Sequence, residues 1–163
     1  MKILFLHGLE SGPHGSKYQA LSWMFGPVVA PDCSGISDPL ERLKIIKDTI
    51  AAETEPFLVV GSSMGGLMAM LLLRERPEKI AGMVLCAPAL HRPAATGIDL
   101  TNLPPTRVIH GSRDTVVPLS ASRPFGDRLL IVDDDHRLGN SIPEILRAVF
   151  ELKLSLKQTQ WSG

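Results

Sequence analysis

A chain of 163 residues has the length of one domain, about 100–200 residues, and can bury roughly 70 % of its unfolded surface without staples. Its 44 % apolar and 21 % charged residues are globular values, not those of a disordered tail. Lys plus Arg (17) balances Asp plus Glu (17) and aromatics reach only 5 %, which excludes a basic field for nucleic acid, an anionic membrane or large anions, and a base-stacking surface.

The first apolar run, Ile3–Leu6, reads as a strand and is too short for a signal-peptide core. After the His7-Gly8-Leu9 loop comes a helix predicted over 17–25, then a strand over 28–30. Asp38 stands as an N-cap before Pro39, which opens a helix over 39–52. From Pro56 to Leu73 no charge occurs, close to the roughly 18 residues of a membrane span. Gly61-Ser62-Ser63 and Gly65-Gly66 interrupt that run, so a strand over 57–60, a sharp turn and a helix over 64–76 account for it better. Strands follow over 80–85, 107–109 and 128–132. The Pro-rich stretch 88–105 is too short for a domain but long enough to loop over a site. A last helix over 141–156 carries Ser141 and Glu144 at capping-box positions, and the tail 157–163 is expected to fray.

The strands are apolar almost throughout, as parallel strands covered on both faces are. Their alternation with helices predicts one domain over 1–156: a doubly wound, mostly parallel sheet of about six strands with helices on both faces. Cys33 and Cys86 fit neither a disulfide framework nor a zinc site, and Cys86 sits in an apolar run as a small buried residue. A reduced, cytoplasmic protein is expected.

In open sheets of this kind ligands gather at the carboxyl ends of the strands. After strand 57–60 comes Gly61-Ser62-Ser63-Met64-Gly65, a G-x-S-x-G motif between strand and helix. Such a turn projects the central serine, Ser63, clear of the sheet; Ser62 is an x position. A serine needs a base, and the base an orienting acid, in the chain order Ser, Asp or Glu, His. Asp114 lies on the loop after strand 107–109. Of the five histidines, His7, His14, His91 and His110 precede Asp114, and only His136 follows both partners. The alternative for His136 is a metal cluster with Asp133, Asp134 and Asp135, against which no second His or Cys stands at ligand spacing. The backbone N–H groups of Met64 and Leu9 are the expected oxyanion donors, and His7 is expected to be structural. Gly12-Pro13-His14-Gly15-Ser16-Lys17 imitates a phosphate loop but misses its G-x-x-x-x-G-K-[ST] order. Ser16 and Lys17 are instead expected at the pocket mouth, touching substrate.

Together, His7-Gly8-Leu9, Gly61 to Gly65, Gly111 to Pro118 and Asp135-His136-Arg137 resemble the α/β-hydrolase superfamily along nearly the whole chain. The short length and the phrase Leu9-Glu10-Ser11-Gly12 through Lys17 resemble the small YqiA-type bacterial esterases. The resemblance implies serine-dependent hydrolysis of carboxylic ester or thioester bonds with no cofactor. Two features depart from larger relatives. No cap domain is inserted, and aspartates rather than glycine precede His136, adding negative charge that raises an imidazole pKa.

The expectation is therefore an esterase or thioesterase acting on a small acyl compound, with Ser63, Asp114 and His136 catalytic. Without a cap the site should be open and favour short acyl groups, although the apolar residues 87–90 offer a groove for longer ones. A hydrolase-fold binding protein, and a peptidase or lactonase on the same three residues, remain as alternatives.

Overall fold

The computed structural model describes residues 1–161. Six parallel strands form one sheet in the order β2-β1-β3-β4-β5-β6: β1 (Ile3–Leu6), β2 (Val28–Val29), β3 (Phe57–Ser62), β4 (Ile80–Cys86), β5 (Thr106–Gly111) and β6 (Leu129–Val132). Strand β3 runs two residues beyond the expected 57–60 because Gly61 and Ser62 stay in register with Leu85 and Cys86.

The strands are apolar on both faces because both are covered. Ile3 and Phe5 of β1 pack with Leu21 of α1 (Ser16–Phe25) and with Ile145 and Val149 of α4 (Ile142–Trp161). Leu4 and Leu6 pack on the other side with Leu43 and Ile46 of α2 (Pro39–Thr49) and Leu67 and Leu71 of α3 (Met64–Glu75). The expected doubly wound arrangement is thus the observed one. Helix α3 is buried from Met64 to Leu72, which explains the uncharged run. Among the described residues no helix is long and apolar enough to cross a membrane.

Asp38 caps α2 as expected: its Oδ2 accepts from Glu41 N–H at 3.0 Å, with Pro39 in the first turn. The capping box at α4 does not form. A short 3₁₀ turn, Gly139–Ser141, already precedes the helix, and the Ser141 hydroxyl donates instead to Asp134 Oδ2 at 2.8 Å. A carboxylate only 2 % exposed must find donors, and the Ser141 hydroxyl is one of them. Of the tail 157–163, residues 157–161 continue α4, and 162–163 lie outside the described residues.

Two crossovers use no α-helix. Between β4 and β5 the chain makes one short 3₁₀ turn, Pro93–Ala95, and lays Ala94, Ile98, Leu100 and Leu103 on the α2/α3 side of the core. Between β5 and β6 two 3₁₀ stretches, Leu119–Ala121 and Arg123–Arg128, bury Phe125.

Candidate active site

The turn from β3 into α3 forces Ser63 to φ +54°, ψ −114°, a conformation that costs an L residue about 1–3 kcal/mol and persists only where its surroundings hold it. Four backbone hydrogen bonds do so. Ser63 N–H donates to Cys86 O at 2.8 Å, and Ser63 O accepts from Gly66 N–H at 2.9 Å, Ala89 N–H at 3.0 Å and Leu67 N–H at 3.3 Å. Glycines make the turn possible: a Cβ on Gly61 would lie 2.5 Å from Gly65 O, and one on Gly65 would overlap the Leu6 carbonyl. Neither neighbour is a side chain that can move aside.

The turn brings Ser63 to His136, 73 positions later in the chain: Oγ lies 2.9 Å from Nε2. Nδ1 of the same ring is 2.7 Å from Asp114 Oδ2. A carboxylate only accepts, so Nδ1 carries the proton, and Nε2 is left to accept from the serine hydroxyl. The other oxygen of Asp114, Oδ1, accepts from Val116 N–H and Val117 N–H, both at 2.8 Å. Burial alone would raise the Asp114 carboxyl, but the hydrogen bonds from His136, Val117 and Val116 outweigh it and hold it below the usual carboxylate range. The acid is therefore ionised and aimed at the imidazole.

His136 stands on the loop from β6 to α4, and Asp134 fixes that loop from both sides. Its Oδ1 accepts from Asp135 N–H at 2.8 Å; its Oδ2 accepts from Asn140 N–H at 3.0 Å and from Ser141 Oγ. Asp133 pairs with Arg113 at 2.9 Å, and Asp135 accepts from Arg137 N–H at 2.9 Å. The three aspartates thus point to three different partners, none of them the imidazole. Among the described residues no group of three or more His, Cys, Asp or Glu side chains could hold a metal ion.

A cavity of about 360 Å³ opens over Ser63 and His136, with Gly8, Leu9 and Met64 in its wall. Among the described residues neither Leu9 nor Met64 gives its backbone N–H to another group of the chain, so both donors are free to meet a ligand. Ser16 and Lys17 are among the residues that line the cavity, and Lys17 Nζ donates to Arg137 O at 2.7 Å, tying the start of α1 to the His136 loop. Of residues 87–90, only Ala89 reaches the cavity.

A sequence model of the serine aminopeptidase S33 family matches residues 33–103. A protein from Xanthomonas campestris pv. campestris, assigned to the α/β-hydrolase superfamily, is similar over 95 % of this chain and 99 % of its own, with 27 % identity and a TM-score of 0.78. The chain has the α/β-hydrolase fold. The same fold recurs in Est1E from Butyrivibrio proteoclasticus (18 % identity, 96 % of this chain and 88 % of that one, TM-score 0.76). It recurs also in alpha/beta hydrolase domain-containing protein 10 from mouse (20 %, 95 % and 90 %, TM-score 0.75). A search of curated protein sequences gives no significant match.

Three further residues stand at the site that sequence patterns alone do not single out. The guanidinium of Arg42, 1 % exposed, lies under the His7-Gly8 loop and donates to the carbonyls of Ile36 (2.6 Å), His7 (3.0 Å), Gly8 (3.2 Å) and Cys33 (3.3 Å). The signal was available, since Arg42, Ile46 and Ile50 form one i, i+4 stripe whose other members are buried. His7 braces the same loop, donating from Nδ1 to Gly8 O at 2.7 Å and accepting Cys33 N–H on Nε2 at 3.0 Å. Burial pushes its imidazole down, so it is a neutral strut, the structural part expected of it.

Chain order removes His110 as a base, but the ring is fully buried directly behind Asp114. Nε2 donates to Val117 O at 3.0 Å and lies 3.2 Å from Asp114 Oδ2, while Nδ1 accepts from Ser122 Oγ at 2.7 Å. The third is Arg92, which reaches the cavity from the Pro-rich crossover beside His91.

Proposed function

We propose that this hydrolase cleaves carboxylic ester or thioester bonds of small acyl compounds, through an acyl-enzyme on Ser63, within a single α/β-hydrolase domain over residues 1–156. One observation carries the reading: the unbroken line from Ser63 Oγ through the His136 ring to Asp114, with links of 2.9 and 2.7 Å. A serine hydroxyl acquires nucleophilic strength from such a base, and the base from such an acid.

Ser63 Oγ adds to the acyl carbon as its proton passes to His136 Nε2. The carbonyl oxygen becomes an anion, which the N–H groups of Leu9 and Met64 are placed to receive. Asp114 balances the imidazolium and keeps Nδ1 protonated. The tetrahedral adduct then expels the alkoxide or thiolate, which takes the proton from Nε2, leaving the acyl group on Ser63. Water repeats the sequence: His136 removes its proton, hydroxide adds to the acyl carbon, and the acid departs as Ser63 is reprotonated. Each proton borrowed is returned, and no cofactor enters. Two free, buried cysteines, Cys33 and Cys86, accord with a reducing, cytoplasmic setting.

The test is labelling with a fluorophosphonate. The wild type should be modified once, and Ser63→Ala not at all; an unmodified wild type, or equal labelling of the variant, would sink the proposal. The family described as a serine aminopeptidase favours a second reading, in which the acyl bond is an amide. Aminoacyl p-nitroanilides turned over faster than p-nitrophenyl butyrate would establish that reading over ours.

A further inference from the structure

The chain is neutral overall, but its charge is not evenly spread. Three cations, Lys17, Arg92 and Arg137, line the cavity over Ser63, and the one acidic residue in its lining is the exposed Glu10. Ion pairs elsewhere on the surface join Lys2 to Glu53, Lys44 to Asp48, Lys47 to Glu75, Arg76 to Glu78 and Arg113 to Asp133. Among the described residues, none of the three cavity cations has a carboxylate partner. Lys17 is held in place by the Arg137 carbonyl, which takes one of its donors and leaves the charge uncompensated. Beneath the same wall the buried guanidinium of Arg42 is satisfied by carbonyls alone, so it too adds positive charge without a counterion. Arg92 is near enough to be felt by its neighbours. Burial is the main cause that lowers the Arg42 guanidinium and the His91 imidazole, and the Arg92 charge lowers both further. Like charges gathered without partners are costly, and an anion in the cavity would relieve them.

We infer that the cavity takes acyl esters or thioesters bearing an anionic group, a carboxylate or a phosphate, beside the scissile bond, with Arg92, Arg137 and Lys17 as its receptors. The inference rests on the ester-cleaving reading above and names its substrate class. It also replaces the expectation drawn from net charge alone, because neutrality of the chain conceals a cationic site.

The decisive comparison uses two matched esters, 4-carboxyphenyl butyrate and the neutral 4-(methoxycarbonyl)phenyl butyrate. In the wild type at low salt the ratio of kcat/KM, anionic over neutral, should be about ten, since two partly exposed charge contacts contribute on that order. It should shrink as salt rises, because screening acts within about 8 Å at 0.15 M. In Arg92→Gln/Arg137→Gln the ratio should fall toward one, while Arg92→Lys/Arg137→Lys, which keeps the charge, retains most of it. A wild-type ratio near or below one, or a ratio unmoved in the Gln variant, overturns the inference. Calorimetric binding of the same two esters to Ser63→Ala, with and without the Gln substitutions, reads the preference without turnover. Loss of fluorophosphonate labelling therefore rejects the ester reading, and loss of the binding preference rejects the anion site. Succinate and inorganic phosphate, as competitors of the neutral ester, separate a carboxylate receptor from a phosphate one.

Discussion

Take away the His110 ring and two buried groups, the Ser122 hydroxyl and the Val117 carbonyl, lose their partners, while Asp114 loses the wall behind its Oδ2. Each buried polar group left unpaired costs about 1–3 kcal/mol. His110→Ala should therefore lower the urea midpoint by a corresponding amount, and it should lower kcat with little change in KM, because the ring touches the acid and not the substrate. Equal loss in both kinetic constants would assign it a general packing role instead. His110 shows why elimination by chain order reads only part of a residue: the rule asks which histidine can be the base, and says nothing of which one supports the acid. Arg42 is a parallel case. Its charge marks it as a surface residue of α2, and only its place on the stripe with Ile46 and Ile50 marks it as buried.

Among the connecting elements, the loop between β6 and α4 depends most on a single side chain. Asp134 is buried, and burial by itself would raise its carboxyl; hydrogen bonds from Ser141, Asp135 and Asn140 reverse this and hold it low. A carboxyl with a depressed folded pKa contributes stability above its unfolded value, near 3.9, and loses it as pH falls through the lower folded one. Asp114 has the same sign. Stability should therefore drop steeply below about pH 4. Asp134→Asn should be less stable than the wild type at pH 7 and show a shallower decline on acidification, measured by urea unfolding at each pH. An unchanged slope would remove Asp134 from the account. The strands and helices were legible because continuous apolar runs and Gly/Pro punctuation report directly on burial and turning. The α4 cap was misread because Ser141 serves a partner seven residues back in the chain, which local pattern cannot reveal. The crossovers by 3₁₀ turns were unreadable for a related reason: they are held by packing on the α2/α3 layer rather than by their own periodicity.

At the scale of the molecule, five of the six strands lead to the site: β1 to Leu9, β3 to Ser63, β4 to Ala89, β5 to Asp114 and β6 to His136. That convergence is why Ser63, Asp114 and His136 could be found by order alone, whereas the charge of the cavity could not, since Lys17, Arg92 and Arg137 meet only in three dimensions. The β4–β5 crossover lies on the core rather than over the cavity, apart from Ala89, His91 and Arg92. Long acyl chains thus have a short apolar wall to follow. Rates with p-nitrophenyl esters should fall from butyrate to palmitate, and a steady rise along that series would contradict the open site. The 73-residue interval between Ser63 and His136 has a consequence for biosynthesis. As the chain leaves the ribosome its serine is complete early, yet it has no base until β6 and the loop behind it have docked. A hydroxyl without an imidazole is a poor nucleophile. On the proposed mechanism the nascent protein is therefore chemically silent until β6 and the loop behind it have docked.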